Sequence, residues 1–157
     1  MRLLFDHVSR AIAAVVFAVV LCQRVIAGDD TAPGDIVRPL SHPNLGSFTT
    51  WLKKTGHDDP DKVFRLENGV LRCGDEDMGY VATKQSFRDY HLAVEYKWGR
   101  KNPTDKYVRN SGILLNGVGP DGSQSGVWMT SIECQLAQGC EGDLILIRGK
   151  TAEGQSF

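Results

Sequence analysis

Two short stretches carry the side chains best suited to chemistry. In "HLAVEYKW", residues 91–98, extended alternation puts Leu92, Val94, Tyr96 and Trp98 on one face and Ala93, Glu95 and Lys97 on the other. In "VWMTSIECQLAQ", residues 127–138, Thr130, Ile132, Cys134 and Leu136 share one face while Met129, Ser131, Glu133 and Gln135 share the other. Each stretch sets an acid, next to an ammonium or a carboxamide, behind an apolar row. A carboxylate can take a proton, and a neighbouring cation or donor can steady the negative charge that results. If both strands lie in one sheet, Glu95, Lys97, Glu133 and Gln135 converge on a cleft floor. If they do not, each set is the solvated face that any antiparallel sheet can present. A third stretch, "NSGILL" at residues 110–115, ends a polar loop with Asn110 and opens a strand with Gly112, where a missing side chain lets another group approach closely.

The elements around these stretches read as β. "KVFRL" and "VLRC" flank "ENG", and Asn68-Gly69 is a strong hairpin signal. "GYVATKQ", "DYHLAVEYKW", "SGILLNG", "VWMTSIECQLAQ" and "GDLILIRG" read as further strands, joined by Gly-, Asp- and Asn-rich turns. The loop "GRKNPTDKYVRN" is too long for a tight turn and carries Lys101, Lys106 and Arg109. Before the hairpin, "SFTTWLKKTG" is compatible with a short helix capped by Ser47 and stopped at Gly56. "HDDPDK" reads as a turn around Pro60, with Asp58, Asp59 and Asp61 more suited to turn chemistry than to metal ligation. About seven such strands with no helical period between them predict an all-β antiparallel sandwich. The last strand is apolar enough to be central, which makes the chain read as a domain truncated at its C-terminus.

Composition agrees with one soluble domain: 157 residues, 41% hydrophobic and 24% charged. A net charge of −1 leaves no basic excess for nucleic acid. Residues 1–27 read as a secretory signal peptide: Arg2 and Arg10, the apolar run "AIAAVVFAVVLC", then "VIA" before the cut after Ala27. Residues 28–44 read as a Pro- and Gly-containing leader, and residues 45–157 as the domain. Removing residues 1–27 leaves 15 basic and 18 acidic side chains, a net −3. The expected location is exported, periplasmic or extracellular, with no membrane contact after cleavage. Of the mature cysteines Cys73, Cys134 and Cys140, an odd number, Cys134 and Cys140 are close enough in sequence to pair.

Taken together, "DPDKVFRLENGVLRC", "GYVATKQSFRDYHLAVEYKW", "NSGILL", "SIECQL" and "GDL" resemble the 3-keto-disaccharide hydrolase family from about residue 45 onward. The resemblance implies a concanavalin A-like jelly-roll sandwich, a carbohydrate partner, and hydrolysis of 3-keto-glycosides. A ketone at C3 acidifies the C2 hydrogen, a base removes it, the enolate expels the C1 substituent, and water adds back. On that chemistry Glu133 is the expected base or metal ligand, and Lys97 the electrostatic partner. Asn110 and Gln135 would hold sugar hydroxyls, with Glu95 beside them, and Trp128 would stack on a ring. A divalent metal bridging the ketone and a hydroxyl could replace or assist the donors. The competing reading is a lectin-like carbohydrate-binding module without turnover, because a shared fold does not fix function.

Overall fold

The computed structural model describes residues 2–5, 19–22, 36–101, 103–104 and 106–150. Ten strands form two sheets: β1 (Arg2–Phe5), β2 (Val19–Cys22), β3 (Phe48–Leu52), β4 (Phe64–Glu67), β5 (Val70–Cys73), β6 (Gly79–Thr83), β7 (Glu95–Lys97), β8 (Gly112–Val118), β9 (Thr130–Gln135) and β10 (Leu144–Ile147). The smaller sheet runs β4-β5-β1-β7 and the larger β10-β9-β8-β2-β6-β3. Phe48, Leu52, Val81 and Ile113 of the larger sheet meet Phe64, Leu71 and Cys73 of the smaller in one buried core. The all-β sandwich expected from the alternation is the architecture found.

The local rules hold at most positions. Asn68 and Gly69 both take positive φ, 52° and 74°, as a two-residue hairpin turn requires, and Glu67 pairs Val70 across it. Asp59 makes turn bonds, accepting from the amides of Val63 at 2.7 Å and Phe64 at 2.9 Å. The stretch compatible with a helix is instead β3. It pairs antiparallel with β6 from Phe48 opposite Thr83 to Leu52 opposite Gly79, and Thr and Trp favour extended backbone. Gly56 stops this strand by a turn, exchanging hydrogen bonds with Leu52 at 2.7 and 2.8 Å.

Two features differ from a wholly antiparallel sandwich. All four pairings made by β1 and β2 are parallel, β1 with β5 and β7 and β2 with β6 and β8, whereas the other pairs are antiparallel. These strands come from the stretch read as a signal peptide; residues 6–18 and 23–35, including the expected cut after Ala27, lie outside the described residues. "RLLF" and "VVLC" are strand-compatible sequences, and their backbones occupy the gaps in both sheets where edges would otherwise stand unpaired. Second, β10 is not central. Among the described residues it pairs with β9 alone and leaves Leu144 72% and Leu146 63% exposed. Cys134 and Cys140 are free thiols, so they do not pair with each other here.

Candidate functional site

The larger sheet has a second apolar cluster on the face turned away from the smaller sheet. Tyr80, Ala82, Leu114 and Met129 form it, with Trp51, Trp128 and Ile147 packed on top. Glu133 belongs to this face, paired with Leu114 of β8 on one side and Ile145 of β10 on the other. The alternation of β9 is therefore as read, but its burial is reversed. Ser131, Glu133 and Gln135 are buried, while Thr130, Ile132 and Cys134 are half-buried. A solvated polar face is excluded for Glu133, which is 7% exposed.

Two neighbours fix that carboxylate. Gly112 provides its seat, since a Cβ there would stand 2.0 Å from Glu133 Oε1 and 2.6 Å from its Cγ. Gln135, its amide oriented to satisfy its surroundings, donates from Nε2 to Glu133 Oε1 at 3.0 Å, the Ser111 carbonyl at 2.9 Å and Asn110 Oδ1 at 3.1 Å. Burial pushes the Glu133 carboxyl pKa up from its ordinary value. Glu133, Asn110, Gln124, Trp128, Ile147 and Arg148 line an open cavity of about 300 Å³. That volume is at the low end of the roughly 300–1,000 Å³ typical of small-molecule sites.

The residues expected from the sequence divide between two surfaces. Glu133, Asn110 and Trp128 come together at the cavity. Gln135 lies beside them but is buried and donates to Glu133, so it positions the acid rather than reaching for a sugar. Lys97 and Glu95 do not join them. Strand β7 is in the smaller sheet, its partners Leu92, Val94, Tyr96 and Trp98 pack toward the core, and Glu95 and Lys97 are exposed on the opposite side of the sandwich from Glu133. Alternation had the face right; the shared sheet was the failed premise. Trp98 stands edge-on to Tyr96 at 5.8 Å and is not free to stack on a ligand.

The long loop contributes less charge to the site than its composition offers. Lys101 Nζ donates to the Tyr107 carbonyl and sits 4.8 Å over the Tyr107 ring, and Arg109 donates to the Gly99 carbonyl at 2.9 Å. Two cavity residues escaped the sequence reading, Gln124 and Arg148. Their only signals were a Gly-rich loop after β8 and a cation at the end of the final apolar strand. Among the described residues, no three His, Cys, Asp or Glu side chains gather to hold a metal. A lone carboxylate among carboxamides and backbone carbonyls is too poor in anionic oxygen for a dedicated Mg²⁺ or Ca²⁺ cage, and no step below runs through a metal.

This cavity lies within the part of the chain that carries a family signature. The profile described as a 3-keto-alpha-glucoside-1,2-lyase-like domain matches residues 44–155. The chain belongs to the 3-keto-disaccharide hydrolase family. No curated protein and no solved structure matches it. Among the described residues no helix is long and apolar enough to cross a membrane.

Proposed function

We propose that this protein cleaves the C1 substituent from 3-keto-glycosides, with Glu133 as the base. The carrying observation is the buried carboxylate at the cavity wall, its pKa raised by desolvation and its position fixed by Gly112 and Gln135. A base is most useful when its pKa lies near the working pH, and burial moves a carboxyl in that direction.

One Glu133 oxygen takes the C2 proton. The C–H electron pair becomes the enolate conjugated with the C3 ketone. The enolate then re-forms the ketone as a C1–C2 double bond appears and the C1–O bond breaks. The departing oxygen receives a proton, available from the Glu133 carboxyl just formed. Water adds at C1 and a proton returns to C2, which completes net hydrolysis. The family description names a lyase, and elimination without the hydration step is the same chemistry stopped halfway.

With Lys97 on the other sheet, Arg148 is the cationic group at the cavity and takes the expected role of steadying the enolate. Asn110 and Gln124 offer carboxamides to sugar hydroxyls, and Trp128 a ring face. A carbohydrate-binding module could use the carboxamides and the tryptophan, but has no need for a buried acid with a raised pKa. The test is release of the aglycone from a 3-keto-glucoside, with and without chelator. Release that survives chelation supports the reading, and no release refutes it.

Export is part of the same proposal. The apolar run and the "VIA" before residue 28 support it. Intact mass of protein recovered outside the cytoplasm would begin at Gly28; a form retaining residues 11–22 would contradict it.

A further inference from the structure

The wall of the cavity is a loop held both by its own hydrogen bonds and by its neighbours. Residues 119–128 connect β8 to β9, and Gly119, Gly122, Ser125 and Gly126 all take positive φ, between 56° and 80°. Internal bonds fold it back: Gly126 N donates to the Gly122 carbonyl at 2.9 Å, and the Gln124 and Trp128 amides donate to each other's carbonyls at 2.8 and 3.0 Å. Glycine accepts positive φ at three of these four positions without strain, and outside partners add to the loop's own bonds.

Those partners come from β3, the turn after it, and β6. Trp51 Nε1 donates to the Gly126 carbonyl at 3.2 Å. Tyr80, fully buried beneath the loop, donates its hydroxyl to Asp121 Oδ1. The other Asp121 oxygen stands 3.4 Å from His57 Nε2. His57 Nδ1 donates to the Thr50 carbonyl at 2.7 Å, and the ring meets Trp51 edge-on at 5.2 Å. Asp121 thus ties the loop to β6 through the Tyr80 hydroxyl, with the His57 ring alongside its other oxygen. A phenol donating to a carboxylate is roughly twice as strong as a neutral hydrogen bond.

We infer that Asp121 is a positioning residue: through Tyr80 it latches loop 119–128 against the sheet, so that Gln124 and Trp128 stand as the substrate-facing wall of the Glu133 cavity. The part of this that concerns substrate rests on the reading above. The latch touches neither the acid nor the reacting atoms. Losing it lowers the fraction of molecules with a formed wall, and apparent affinity falls by that fraction.

The experiment uses the full chain with Tyr80→Phe, which keeps the ring, and Asp121→Asn, which keeps the shape and one acceptor. For a 3-keto-glucoside, KM should rise about five-fold or more with kcat within about two-fold, the pattern of lost uniform binding. Hydrogen exchange at the Gly126 and Trp128 amides should speed up by about ten-fold or more, with β9 unchanged. Unchanged KM in both variants of an active enzyme overturns the coupling to substrate. Exchange that does not change in the loop, or rises evenly through the sheet, overturns the latch itself. If the wild-type chain does not turn the substrate over, the functional reading fails, and loop exchange still decides whether the latch exists.

Discussion

Gly112→Ala separates the geometry of the acid from the stability of the strand. The added methyl would lie 2.0 Å from Glu133 Oε1, 2.6 Å from Cγ and 2.7 Å from Cδ, against about 3.4 Å for an ordinary contact. The carboxylate must therefore retreat by roughly 1.4 Å, the difference between those figures. Gly112 is not in the left-handed region, so the backbone accepts alanine and the burden falls on the Glu133 side chain. Overpacking of this kind costs about 1–3 kcal/mol. A displacement of about 1 Å at a reacting group can cost about 100-fold in rate. The expected result is a folded protein with a modest loss in thermal unfolding and a fall in kcat/KM of about 100-fold. Glu133→Ala in the same background should recover the lost stability without recovering turnover, because the clash has gone with the acid. Gly112→Ala with wild-type turnover would refute the claim that Gly112 seats a working carboxylate.

Other consequences follow from the same geometry. Glu133 has a folded pKa above its unfolded value, so the folded state holds the proton more tightly; wild-type stability should fall as pH rises through the window from the unfolded to the folded value, and Glu133→Gln should remove that fall, as read by thermal unfolding across pH. Lys97→Ala should leave turnover within about two-fold and stability within about 0.5 kcal/mol, because the side chain is exposed on the far sheet.

Much of the sandwich was legible because a period of two and turn residues are local signals. The Asn68-Gly69 hairpin and the two faces of β9 needed only neighbouring side chains. What failed needed information from far along the chain. Alternation placed Glu95 and Lys97 together but could not say that β7 pairs in the smaller sheet. It placed Glu133 opposite Ile132 and Cys134 but could not say which face is covered, and here the polar one is. The helix expected over β3 rested on Ser47 and Gly56, whereas pairing with β6, some thirty residues further along the chain, decided the matter. Gln124 and Arg148 carry no local pattern; they reach the cavity only because a loop and an edge strand fold back beside β9.

The most direct measurement is deuterium at C2. A 3-keto-glucoside is incubated in D2O with wild-type protein or with Glu133→Gln, and the product is read at early times by mass and NMR. Glu133→Gln keeps an oxygen that can accept from Gln135, so the fold should be intact. Abstraction by Glu133 predicts a C2 deuteron in every hydrated wild-type product, and no C2 hydrogen in any product that stops at elimination. In the folded variant, turnover should fall by about 100-fold or more. Product that retains the original C2 protium, or a variant that turns over at the wild-type rate, would contradict Glu133 as the base.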